Sequence, residues 1–212
     1  MNPPLHKRLV ELAGLPRRVD FVGPLGLRLY LAPVLWVAGM NKVAGFDGVV
    51  EWFGNSDWGL GLPAPLIMAF LATAAEVAGA VLLLLGLGTR MIVVPLMATM
   101  VVAAATVHLD NGWQAVHDTN SPFASQYSLG FEAEDASAAG ERLARARAIL
   151  EEHGNYDWLT ETGNFVISNN GIEWPATYFV MLLALFGTGG GRHVSLDYWI
   201  TRRSSSLPPA PP

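Results

Sequence analysis

The chain has 212 residues, of which 51% are hydrophobic and only 15% charged, with a formal net charge of −5. Soluble domains carry roughly 25% charged residues, so the deficit points to a bilayer as solvent, and the negative balance excludes a typical nucleic-acid binder. With zero cysteines the chain has no disulfides, no thiolate metal site and no dithiol redox chemistry.

Residues 1–24 come first. Their stretch "HKRLVELAGLPRRVDF" is basic and amphipathic and lacks the apolar centre of a cleavable signal, so the first apolar span is expected to serve as an uncleaved anchor. A transmembrane helix needs about 20 mainly apolar residues. Four segments are read as spans: 25–44, "LGLRLYLAPVLWVAGMNKVA"; 64–87; 89–108, "TRMIVVPLMATMVVAAATVH"; and 174–187, "WPATYFVMLLALFG". The last is short, and either extends backwards through "ISNNGIE" or sits in a thinner part of the bundle. Pro33, Pro95 and Pro175 are tolerable in such spans, because neighbouring helices satisfy the freed carbonyls. The expected fold is an all-α membrane protein, a four-transmembrane-helix bundle over residues 25–200.

Basic residues set the orientation. Lys7, Arg8, Arg17, Arg18 and Arg28 lie at the N-terminal end, Arg90 in the tight turn "GLGTR", and Arg192, Arg202 and Arg203 near the C-terminus. The first connector, "GFDGVVEWFGNSDWGLGLP", has none. Both termini are therefore expected in the cytoplasm, with a long extracytoplasmic loop at 109–173. Inside that loop, "DASAAGERLARARAILEEHG" reads as a helix with Leu143, Ala146, Ile149 and Leu150 on one face, stopped at Gly154. Trp113, Phe123, Tyr127, Tyr156, Trp158 and Trp174 surround it. They form either an interfacial aromatic belt or a cap over a site at the outer mouth. Residues 201–212, ending "SSSLPPAPP", read as a disordered tail.

The second span poses the functional question. Across "LIMAFLATAAEVAGAVLLLLGLGTR" the sole charge before the final arginine is Glu76. A mid-bilayer charge costs roughly 2.5–3.5 kcal/mol on insertion scales, so it needs a partner, a wet cavity or a proton. Glu76 shares a helical stripe with Gly79 and Gly86, and Gly39 lies on the first span; small residues of this kind let membrane helices pack closely. Lys42 is the expected partner. Asn41, Lys42, Glu76, His108, Asn111, Asn170 and Glu173 are the candidate residues of an outer-leaflet pocket. Against this stands a purely structural ion pair that fixes helix register. Met97 and Met100, with His108, offer soft ligands of the kind Cu(I) takes, but methionine is equally a filler of apolar cores.

The runs "GMNKVAGFDGVVEWF", "LPAPL", "AEVAGAVLLLLGLGTR", "HLDNG", "NNGIEW" and "GGGRHVSLDYW" together resemble the DoxX family of small bacterial membrane proteins. The segments "EEHGNYDWLT" and "FVISNNGIEWPATYFVMLLALFGTGGGRHVSLDYWI" are similar to its HvfX branch, named for maturation of copper-binding modified peptides (RiPPs). The resemblance implies a multi-pass protein of the bacterial inner membrane. Three roles are compatible with it. One is an accessory in maturation or export of copper-binding peptides, or in metal stress, whose partners would be the maturation proteins or the peptide itself. A second is a quinone-linked oxidoreductase subunit, since one relative of the family is a small subunit of a thiosulfate:quinone oxidoreductase. The third is a small-molecule transporter. Quinone and copper are the two ligands these roles would call for.

Overall fold

The computed structural model describes residues 19–117 and 136–205. Among these the regular elements are all helices, with one isolated antiparallel bridge between Val116 and Ser168. The described chain divides into two compact units, residues 19–99 with 178–205, and residues 100–117 with 136–177; the divisions fall inside two helices.

Helix α1 (Val22–Ala44) and α3 (Pro65–Leu85) pack on each other in the first unit. Leu31, Ala32, Leu35 and Gly39 face inward from α1, and Ala69, Thr73, Glu76, Gly79, Ala80 and Leu83 from α3. Outward stand Trp36, Val37, Leu66, Ile67, Phe70, Leu71 and Leu84, all more than 40% exposed, a surface suited to lipid. A Cβ on Gly39 would come within 2.7 Å of Val77 Cγ2, and one on Gly79 within 2.8 Å of Leu96 Cδ1, so both glycines sit where two helices touch. Helix α4 (Thr89–Ala103) follows α3 after a tight turn and runs on through one π turn (Ala104–His108) and a 3-10 turn (Leu109–Asn111). The stretches Val22–Ala44, Pro65–Leu85 and Thr89–Asn111 are each long and apolar enough to cross a membrane. The chain is a membrane protein.

The first connector was expected as loop, yet it holds helix α2 (Phe46–Gly54). Its pattern explains this: Asp47 sits in the first turn, Phe53 is buried, and Asn55 stops the helix while its side chain accepts from the backbone N–H of Asp57 and Trp58. The surface of α2 packs on α3, with Gly54 against the Pro65 ring.

In the second unit, α5 (Ala136–His153) is followed by the short α6 (Tyr156–Leu159). The stop at Gly154 is present, its N–H returning to Leu150 O at 2.8 Å. The covered face differs from expectation. Leu143 and Leu150 are half-buried, but Ile149 is 60% exposed, and Arg147 takes a covered place by donating to Phe165 O at 3.2 Å. Trp158 stands 68% exposed. Phe123 and Tyr127 lie outside the described residues.

Helix α7 (Glu173–Thr188) has 16 residues, about 24 Å of rise. It does not extend backwards through "ISNNGIE". Residues 167–172 instead run beside 112–117, because the backbone there bonds across rather than along: His117 N to Ile167 O, Asn169 N to Ala115 O, Gly171 N to Gln114 O, Ile172 N to Gly112 O and Glu173 N to Trp113 O. Finally, α8 (Leu196–Ser205) takes in the first five residues of the stretch expected as an unstructured tail; residues 206–212 lie outside the described residues.

Candidate functional site

Lys42 comes from the last turn of α1 and Glu76 from the middle of α3. Gly39 lies one turn before Lys42, and a Cβ there would stand 3.2 Å from Glu76 Cβ and 2.7 Å from Val77 Cγ2, so the glycine lets the two helices come close enough for the side chains to meet. The ammonium donates to both carboxylate oxygens, at 2.8 Å to Oε1 and 2.7 Å to Oε2. The two ends differ in access. The Glu76 side chain is 7% exposed and that of Lys42 27%. An ammonium has three N–H donors, and these contacts use two. The pair is thus closed on the carboxylate side and open at the lysine. Asn41, beside it in sequence, is exposed.

His108, Asn111, Asn170 and Glu173 gather in the second unit. The His108 ring nitrogen Nδ1 lies 2.7 Å from Asn170 O, and Asn111 Nδ2 donates to the same oxygen at 3.3 Å. Asn170 takes a left-handed backbone, φ 58°, which turns that carbonyl towards them. Glu173 accepts from Ala115 N at 2.9 Å, and Asn169 donates to Asn111 O and Gln114 O at 2.6 and 2.8 Å. Every one of these bonds ties "HLDNGWQAVH" to "VISNNGIEW". Gly171 is needed at the crossing, where a Cβ would sit 2.6 Å from Gly112 O. The arrangement holds a loop shut; the seven candidates therefore form two sets, one in each unit.

Met97 and Met100 are half-buried, one turn apart on α4. Among the described residues no group of three or more His, Asp or Glu is placed to hold a metal ion.

Sequence reasoning missed Arg28 and Asp197. Arg28 was counted only as a basic flank, yet it is 1% exposed. Its Nε donates to Leu83 O at 2.6 Å, Nη2 to Leu84 O at 2.8 Å, and Nη1 to Gly190 O at 2.6 Å and Val194 O at 3.1 Å. It satisfies the orphan carbonyls at the end of α3. Gly86 is the C-cap there, φ 64°, with Leu87 N bonding back to Leu82 O at 2.9 Å. A Cβ on Gly86 would lie 2.7 Å from the Arg28 guanidinium, so this glycine makes room for an arginine rather than for a neighbouring helix. Asp197 accepts from Gly88 N and Thr89 N at 2.7 and 2.9 Å, a carboxylate at the start of α4 supplied from α8. A signal was present for one of them: Arg28 stands inside an apolar run, where a charge calls for a partner.

The DoxX family profile matches residues 23–109, which contain the Lys42–Glu76 pair. The chain is 35% identical over 88 residues to "Putative oxidoreductase CatD" of Bacillus subtilis, covering 42% of this chain and 61% of that protein. It is also 35% identical over 63 residues to "Inner membrane protein YphA" of Escherichia coli, covering 30% of this chain and 42% of that one. The matches thus span about three-fifths and two-fifths of these relatives. No solved structure matches the chain at a significant level.

Proposed function

With a DoxX domain over residues 23–109 as the premise, we propose that this membrane protein is the proton-handling subunit of a quinone-linked oxidoreductase, with Lys42 and Glu76 at its site. The observation that carries this is the bidentate pair, set among apolar helices with only its lysine end open. A charge in this setting is a functional candidate by default. A bound quinone would supply the electron acceptor. The third N–H of Lys42 suits a carbonyl oxygen, and Glu76 can hand over or take up a proton beside it. Zero cysteines leave the chain no dithiol to supply electrons, so in this reading a partner protein delivers them. A relative named as an oxidoreductase supports this reading.

In this reading α7 is the fourth span of a four-helix bundle and both termini are cytoplasmic, on the basic-residue asymmetry. The cysteine-free chain makes the topology simple to test. A cysteine introduced at Ala144 should be labelled from the extracytoplasmic side; labelling from the cytoplasm alone would overturn it.

A second reading is an accessory role in maturation or export of a copper-binding peptide. It rests on the resemblance of residues 151–200 to the HvfX branch. One purification separates the two. In mild detergent, extractable quinone that is lost in Lys42→Met supports the oxidoreductase reading. Stoichiometric copper without quinone supports the peptide reading instead and refutes the first.

A further inference from the structure

Away from the Lys42–Glu76 pair, the helix ends of the first unit border an open cavity of about 780 Å³. It lies where α1 begins, α4 begins and α7 ends. Three guanidiniums line it, Arg90, Arg192 and Arg202, against two carboxylates, Asp20 and Asp197. Both carboxylates are already engaged. Asp20 pairs with Arg192 at 3.2 Å, and Asp197 accepts from the backbone at the start of α4. Arg90 bonds a carbonyl, Gly187 O at 3.1 Å, and Arg202 lies 5.8 Å from the centre of the Trp199 ring. Neither has a carboxylate partner among the described residues. Two planar five-donor forks outside any ion pair among the described residues therefore face one cavity, an arrangement suited to a phosphate.

The surroundings indicate where such a phosphate comes from. Met91 at the rim is 80% exposed, and α8 presents Leu196, Trp199 and Ile200 at 42–53% exposure beside Arg202. A short helix with exposed aromatic and aliphatic residues next to arginines is built to lie in the headgroup layer. Basic pockets between membrane helices at this depth take acidic lipid headgroups. We propose that the cavity binds the phosphate of an anionic phospholipid, held between Arg90 and Arg202. This is independent of any role for Glu76.

The test uses the full chain in neutral detergent, titrated with phosphatidylglycerol, phosphatidylcholine or inorganic phosphate. Native mass spectrometry and Trp fluorescence report binding, since Trp199 neighbours Arg202. Phosphatidylglycerol should bind at least tenfold more tightly than phosphatidylcholine, and R90Q/R202Q should remove that preference. M91E places a carboxylate at the rim without breaking any bond described above. It should weaken phosphatidylglycerol at least tenfold while the melting temperature holds, which keeps the test valid if the double variant fails to fold. Equal binding of the two lipids, or wild-type affinity in a folded R90Q/R202Q or in M91E, would overturn the proposal. Displacement of phosphatidylglycerol by inorganic phosphate at matching concentrations would also overturn it, by showing a soluble-anion site.

Discussion

Helix α1 carries two cations, and they are neutralised in opposite ways. Arg28 is almost wholly enclosed and spends its donors on four backbone carbonyls. Lys42, fourteen residues on and about 21 Å further along the helix, gives two donors to a single carboxylate and remains partly open. Carbonyl dipoles at the end of a helix are fixed and cannot accept a proton in exchange. A carboxylate can. The arginine arrangement therefore suits a fixed joint, and the lysine arrangement leaves one end of an ion pair accessible. On the proposed function, fold and function sit at opposite ends of one helix.

The strongest way to break the comparison is to remove the arginine. Arg28→Met strands the carbonyls of Leu84, Gly190 and Val194, leaves Leu83 O with Gly86 N alone, and should cost about 3–5 kcal/mol, read as a lower melting temperature in detergent. Arg28→Lys should rescue little, because one compact ammonium cannot reach carbonyls that a planar fork spans. A melting temperature equal to wild type would show that the helix end is held by something else.

Lys42→Met should cost less, about 1–3 kcal/mol, because the lysine is partly solvated and Glu76 can take a proton once alone. Glu76→Gln keeps the shape and removes the titratable group, so activity should fall further than stability. The double change E76Q/K42M leaves no charge unpaired. Stability returning to within about 0.5 kcal/mol while activity stays lost would sharpen the comparison. Recovery of both would reduce the pair to a register pin and erase the functional difference between the two cations.

Asp197→Asn probes the arginine end more gently. The carboxylate gives one oxygen to each of two N–H groups, and an amide can serve only one of them. A loss of about 1 kcal/mol is expected, within the range of a helix cap. The smallest effect belongs to a control, Glu141→Gln on α5. Its pair with Arg145, at 2.7 Å, is mostly exposed on both sides, and the change should stay below about 0.5 kcal/mol. A larger loss there would mean that exposed and enclosed charges in this protein are not energetically distinct.

The spans of α1, α3 and α4 were legible because apolar content is a local property, and so was the demand that Glu76 find a partner. Lys42 was legible as that partner from its helical position and its depth. The helix within the first connector was not, since what holds it is tertiary, the burial of Phe53 and the close approach of Gly54 to the Pro65 ring of α3. The apolar face of α5 was misjudged for a related reason. Periodicity marks which residues share a face, but not whether anything covers it, and Ile149 is left exposed while Arg147 finds a carbonyl.

From residues alone, then, came what depends on composition and on short-range spacing: a membrane protein, its long apolar helices, and a carboxylate too costly to leave alone. Tertiary structure decided what depends on partners distant in the chain. Arg28 meets Gly190 162 residues away, Asp197 caps a helix start 108 residues earlier, and Glu173 bonds an N–H 58 residues before it. In each of these contacts the side chain meets a backbone group, of a kind that nearly every residue carries alike. Nothing in a side-chain pattern distinguishes one carbonyl from another until the helices have packed and only some of them remain without a bond.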